Sequence, residues 1–452
     1  MFDEGLQQRM EEYFNRIGTV LGNNYRRASF ATYAMGLLGD GERKSMEPIA
    51  ARACADPEEV EAQHQRLGHF IRDAKWEDRR VRAEGTRYAL ELMTAREPIL
   101  TWILDDTGFL KQGKHSVGVQ RQYTGSAGKI TNCQVGVSLS VASRSEHLGI
   151  DFELYLPESW TEDKERRKEA RIPAAVKFKT KPELALEMLD RAIEDGVPKG
   201  VLLADEGYGA SREFREGLIA RGLEYAVAVS SSTTAWLACR DGTLSKDRWS
   251  AAEIAEGLGE KQFRRTSWRE GTRGMLHARF AMRRVVVGNG KGRPPLKRRA
   301  EWLLMEWRDG EPKPQHFYLL TGSEKAARKQ MVRLVKERYR TERFYQDMKG
   351  ELGLDHFEGR TYPGWHHHVS VALCCNAFVV GEKLRAFFSA TGRQRGARAN
   401  QGAPRAPLRG FIHHLPIGDS SPPQQMASSL SPMPSTTRAD RTTIEGPTEM
   451  TQ

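Results

Sequence analysis

The sequence predicts an α/β fold: a mixed sheet with helices on both faces, interrupted by a β-rich insertion and preceded by a helical N-terminal domain. Three observations predict it. Residues 96–230 read as three strands and then alternating helices and strands, in the order βββαβαβ. Residues 231–323 are dense in strand patterns without that alternation. Residues 1–95 carry apolar side chains at helical spacing instead.

The N-terminal spacing runs through MEEYFNRIGTVLG, ATYAMGLLG, VEAQHQRLGHFIRDA and GTRYALELMTA. A small helical domain ahead of a basic core suits reading a DNA end and suits bracing that core. From Glu97 the pattern changes. PILTWILDD is a short apolar run ending in two acids, VGVQRQYTG alternates, and TNCQVGVSLSVAS is β-branched and apolar, so the three form an antiparallel meander. Residues 145–180 read as a charged excursion of loop and short helix. KPELALEMLDRAIEDG is an amphipathic helix, GVLLADEGYG a buried strand running into acids and glycines, SREFREGLIARG a helix capped by Ser211, and LEYAVAVS a further strand.

In 231–323, ARFAMRRVVVG, AEWLLMEWRDG and PKPQHFYLLTG look like strands of one sheet. The loop between the first two holds Lys297, Arg298 and Arg299, which suit phosphate contact. Its GNGKG lacks the GKS/T ending of a phosphate-binding loop, so no nucleotide cofactor is expected. Residues 324–390 open with a charged helix beginning near Arg333 and reach a buried helix, GWHHHVSVALCCNAFVVGEKLRAFF. Residues 391–452, rich in Pro, Ser, Thr and Arg, read as a disordered tail.

The 452 residues carry 70 Lys+Arg against 59 Asp+Glu, a net +11, and a chain so basic suits a polyanionic partner such as nucleic acid. Five cysteines at irregular spacing fit a reducing compartment. The absence of an apolar leader or of any run near the length of a membrane span points to a cytoplasmic protein.

Three acids stand out by placement. Asp106 ends the first strand, Asp205 ends GVLLAD, and Glu342 lies on the charged helix. At 100° per residue Arg338, Glu342 and Lys349 fall on one narrow stripe. Taken alone, that stripe is a solvated ladder of ion pairs. Acids at the ends of neighbouring strands, met by an acid from a packed helix, can converge. Three such carboxylates would repel unless cations intervene, and two Mg²⁺ ions, with Mn²⁺ able to substitute, would neutralise them and serve a phosphoryl transfer.

These residues carry a family resemblance. The element order, the insertion and the acid-bearing helix resemble the RNase H-like core of bacterial insertion-sequence DDE transposases. Arg338-x3-Glu342-x6-Lys349 is similar to the R-E-K part of their Y-R-E-K signature, with Val335 standing where the tyrosine would fall. DDTGFLKQGKHSVGVQRQYTG, ADEGYGAS and KGELGLDHFEGRTYPGWHHH resemble the blocks of one subgroup, called a DDE superfamily endonuclease; the likeness covers about residues 20–390. It implies that Asp106, Asp205 and Glu342 bind the metal ions and that Arg338 and Lys349 contact phosphates of double-stranded transposon-end DNA. It also implies a homodimer in the synaptic complex, cleavage at the element ends and strand transfer into target DNA. The neighbouring readings are an RNase H-fold nuclease or resolvase without strand transfer, or an inactive DNA-binding derivative.

Asp105 is the rival of Asp106. Strand alternation sends the two to opposite faces, so only one joins the site, and the Asp-Thr dipeptide of the resembling family selects Asp106. Lys111 and Lys114, in the loop that follows, suit phosphate contact. His366, His367 and His368 fan around a helix axis and form no ligand cluster. Trp236, Trp268, Trp302 and Trp307 read as core, with one of them able to stack on a flipped base.

Overall fold

The computed structural model describes residues 4–239, 241–288, 300–323 and 325–393. Lys297, Arg298 and Arg299 lie outside the described residues, as does the expected tail of 391–452 except for residues 391–393, which continue the last helix instead.

Five helices open the chain: α1 (Glu4–Leu21), α2 (Asn24–Leu38), α3 (Met46–Ala53), α4 (Val60–Gly68) and α5 (Asp78–Thr94). Asn23 caps α2 by accepting from the Arg26 N–H, which satisfies one of the helix's free donors. The meander follows as β1 (Thr101–Leu110), β2 (Gln120–Thr124), β3 (Lys129–Ala142) and β4 (His147–Tyr155). β1, β2 and β4 all pair antiparallel with β3, the last two on different stretches of it.

β4 corrects the expected charged excursion from residue 145. Leu148, Ile150, Phe152 and Leu154 alternate along it and all are buried. Asp151 and Glu153, interleaved with them, give the segment its charged look; both pair with Arg191.

Next come α6 (Glu158–Thr161), α7 (Lys164–Glu169), α8 (Lys181–Glu194), β5 (Val201–Ala204), α9 (Glu206–Gly209), α10 (Arg212–Ala220) and β6 (Tyr225–Val229). Thr180 and Glu183 form a reciprocal capping box that fixes where α8 begins. β5 runs parallel to β1, and β6 parallel to β5. The resulting order β3-β1-β5-β6, antiparallel on one side of β1 and parallel on the other, is an RNase H-like mixed sheet.

The insertion supplies β7 (Thr234–Leu237), β8 (Trp249–Ser250), α11 (Ala251–Leu258), β9 (Arg264–Gly271), β10 (Gly274–Val287), β11 (Glu301–Trp307) and β12 (His316–Leu320). Its last strand, β12, pairs antiparallel with β6. The inserted strands therefore lengthen the core sheet, which reaches twelve strands.

The chain ends its described part with α12 (Arg328–Lys336), α13 (Tyr339–Gly350) and α14 (Tyr362–Arg393). The sequence expectation of one uninterrupted charged helix is corrected here, because the chain turns at Glu337–Arg338. The two halves serve different cores. Met331, Val332 and Val335 seat α12 on Ile103, Leu203 and Leu304. Phe344 and Met348 seat α13 in the main core beside β4. A Cβ on Gly149 of β4 would collide with the Phe344 ring, so glycine at this position admits α13 to its place. α14 packs on β4 and is wrapped by α5 and α2.

Candidate active site

Asp105 and Asp106 do not end the first strand as expected: β1 runs on to Leu110 paired with β3, and the acids stand where its pairing with the shorter β5 stops. Ile103 pairs with Leu203 in the parallel register, and both belong to the core under α12. Two residues further along, the same register sets Asp105 beside Asp205, whose backbone is still extended (φ −81°, ψ −174°). Neighbours in a parallel pair share a face, so these two carboxylates look toward the helices α12 and α13. They also sense each other: burial pushes the Asp105 carboxyl up to about 7, Arg338 opposes the rise, and Asp205 and then Asp106 add to it.

Arg338, at the turn before α13, donates to Asp105 Oδ2 at 2.7 Å. Lys349, in the last turn of α13, donates to Thr107 Oγ1 at 2.9 Å and to the Gly108 carbonyl at 2.7 Å. Burial lowers its pKa. Both basic residues of the stripe thus face β1, as the helical geometry requires. Glu342 lies between them in the first turn of α13 and is exposed. Tyr345 adds a contact on the same face, its hydroxyl 2.6 Å from Ser138 Oγ.

Asp106 points to the other face. Its Oδ2 accepts from Lys181 Nζ at 2.8 Å, at the start of α8. The sequence reading chose Asp106 over Asp105 from the Asp-Thr dipeptide. The structure instead sets Asp105 on the face of Arg338 and beside Asp205, because register with β5, not local sequence, decides which side chain turns toward the helix.

The two loop lysines separate as well. Lys111 donates to the Phe357 carbonyl at 2.6 Å, and burial lowers its pKa, so its charge serves the fold. Lys114 is exposed. All three histidines of α14 are buried. The four tryptophans are occupied too. Arg248, Lys336, Arg284 and Arg279 lie over Trp236, Trp268, Trp302 and Trp307 at 5.8, 4.9, 5.0 and 4.1 Å. Sequence reasoning missed Lys181 and Tyr345. A lysine directly after the capping threonine was the only available signal for the first.

Among the described residues no three His, Cys, Asp or Glu side chains lie together as a set able to hold a metal ion. One atom is nevertheless left for such a group: Asp205 Oδ1 is buried and has no hydrogen-bond partner. A carboxylate oxygen in that state is costly unless a cation or donor reaches it. The donor chemistry of Asp105 and Asp205, all oxygen and anionic, fits a hard divalent cation, and Arg338 now holds the Asp105 oxygen that such an ion would take.

The family described as DDE superfamily endonuclease matches residues 16–275. The family described as transposase DDE domain matches residues 179–376, the part that holds Asp205 and α13. A curated relative, the probable transposase for insertion sequence element IS701 of Microchaete diplosiphon, is 29% identical over 205 residues, 45% of this chain and 49% of that protein. The chain thus spans about half the length of the curated relative it matches. With more than half of its residues matched, Asp105 and Asp205 among them, the chain belongs to the DDE superfamily endonuclease family.

Proposed function

We propose that the chain is a DNA transposase that cuts at the ends of an insertion sequence and joins the freed 3′ ends to target DNA. The observation that carries this reading is the approach of Asp105, two residues past the last β1–β5 pair, to Asp205, just past the end of β5, under a helix that brings Glu342 and Lys349 and the turn that brings Arg338. The name of the IS701 relative supports it from outside the chain.

Asp105, Asp205 and Glu342 are the residues that would hold divalent cations, two Mg²⁺ with Mn²⁺ as a substitute, and bound there the ions would neutralise developing charge and activate the attacking oxygen. Asp106 is the alternative to Asp105 in that set. Arg338 and Lys349 bind phosphates of the DNA end from the two ends of α13, exchanging their internal oxygen partners for phosphate oxygens. Glu342, exposed between them, meets the DNA on the same stripe. The basic loop with Lys297, Arg298 and Arg299 adds phosphate contacts, and Lys114 holds the flank. The substrate is double-stranded DNA, the working unit a homodimer that brings two ends together, and the place of action the bacterial nucleoid.

The test is a Mg²⁺-dependent assay on duplexes carrying the element's ends. The parent cleaves and joins. Asp205→Asn, checked for an unchanged circular dichroism spectrum, falls by on the order of a thousandfold or more. Equal cleavage by the variant sinks the assignment, and cleavage without joining makes the chain a nuclease instead.

A further inference from the structure

We propose a second DNA-contact site, away from the acids: a pocket between the β2–β3 hairpin and the α6–α7 segment that takes a backbone phosphodiester of the flanking duplex. It rests on the reading of the chain as a DNA-cutting protein and names where the DNA goes next.

The pocket has a volume of about 470 Å³, and its lining includes Lys114, His115, Arg121 and Arg166 against a single acid, Glu169. Its floor is built. Trp160 is buried and donates its indole N–H to the Val119 carbonyl at 2.8 Å. The Arg166 guanidinium lies 3.8 Å from the centre of that ring, held flat by it. Its backbone acceptors, the Ser159 and Lys114 carbonyls, sit at a long 3.4 Å, which leaves its donors weakly used. His115 pairs with Glu169 at 3.6 Å. Lys114 and Arg121 are exposed, and neither makes an ion pair among the described residues.

Register puts this pocket in line with the acids. Asp105 pairs with Ser138, Thr107 with Gly136, Phe109 with Gln134, and Arg121 with Asn132. All four pairs lie on one face of the sheet, because pairing partners share a face and alternate residues return to it. Along β3 the line runs from Ser138, opposite the Arg338-bound acid, past Gly136, opposite the Lys349 contact, to Asn132 in the pocket wall. Six strand residues at about 3.4 Å each span about 20 Å, the rise of about six base pairs. The intervening Gly136, Gln134 and Phe109 are buried, so the register sets the spacing and not a path: a duplex whose scissile phosphate sits at the acids reaches Lys114 and Arg121 about that far along its flank. The stacked, weakly bonded Arg166 and the surplus of cations suit a repeating phosphate backbone better than a small neutral ligand.

The experiment is fluorescence anisotropy of the full chain with a labelled duplex of about 40 base pairs, across a KCl series and without divalent metal. The variants are the exposed pair Lys114→Ala/Arg121→Ala and the opposite-sign control Glu169→Gln. The double variant is expected to lower the slope of log K against log salt by about 2 and to weaken low-salt binding by about tenfold or more, with the parent's thermal midpoint retained. Glu169→Gln is expected to tighten binding. A parent slope retained in the double variant, or weaker binding by Glu169→Gln, would overturn the pocket alone. A parent that binds no duplex would overturn the DNA-cutting reading and the pocket with it.

Discussion

Asp105 and Asp106 are adjacent in sequence and opposite in consequence. Asp105 is the more buried, ion-paired to Arg338, and raised by burial and by Asp205. Asp106 is paired to Lys181 across the sheet. If the acid that faces Arg338 is the one the chemistry needs, Asp105→Asn costs metal-dependent cleavage on the order of a hundredfold or more, whereas Asp106→Asn, one shell further out, stays within about tenfold to a hundredfold. Single-turnover cleavage of the two variants decides it, and the reverse ranking would return the role to Asp106. The pair of acids was legible from its place at the end of an apolar run. Its orientation was not, because facing is set by pairing with a strand about a hundred residues away. Val335 follows the same logic. It stands where the resembling signature has tyrosine, and it is buried against the core under α12, a place for an apolar side chain.

At the scale of the element, α14 shows how a polar string can be structural. His368 is fully buried. Its Nδ1 accepts from the Tyr33 hydroxyl, and its Nε2–H donates to the Gly353 and Leu354 carbonyls at 3.1 and 3.2 Å. Burial lowers its pKa to about 4, against gains from those carbonyls. The unfolded ring titrates near 6.5, so below that pH the unfolded chain binds a proton that the folded chain refuses. Stability from this ring is thus complete above about 6.5 and lost as pH falls toward 4, by on the order of 3 kcal/mol. Urea midpoints at pH 7.5 and 5 test it. His368→Gln should lose less on acidification than the parent, and equal losses would mean the ring titrates normally in the fold. Helical spacing made α14 readable from sequence. It did not reveal the break between α12 and α13, since the charged stretch holds no proline or glycine there and only the positions of two separate cores impose the turn. β4 was readable in principle from Leu148, Ile150, Phe152 and Leu154, but its interleaved acids masked the period.

The whole molecule closes around α14, and that decides what the first 95 residues do for stability. The sequence left a DNA-end reader and a brace equally open. In the structure Arg9 forms a bidentate pair with the nearly buried Glu382, the Tyr13 hydroxyl donates to the Cys374 carbonyl at 2.8 Å, and Arg82 meets Asp151 at 3.2 Å. α5 and α2 cover the face of α14 opposite to the sheet side, with Val371, Cys374, Cys375 and Phe378 buried along the helix. Uncovering even four such side chains forfeits about 1.5–3 kcal/mol each, which is the size of a typical domain's entire stability of about 5–15 kcal/mol. Without the first 95 residues Asp151 keeps Arg191 but loses Arg82, and Glu382 keeps Arg385 but loses Arg9, so each buried acid gives up one of its two cations. The segment 96–393, which holds every acid and base of the candidate site, is therefore expected not to fold alone. Expressed by itself it should aggregate or unfold without a cooperative transition, and co-expression with residues 1–95 should restore a soluble complex. A monomeric 96–393 fragment with a sharp thermal transition would show that the helices are an appended module, and would shift the N-terminal segment back toward DNA recognition. The brace has a further consequence for the site: α14 packs on β4, β4 admits Phe344 of α13 through Gly149, and α13 carries Arg338, Glu342 and Lys349, so loosening the first 95 residues should loosen the acid-bearing helix before it touches the strands.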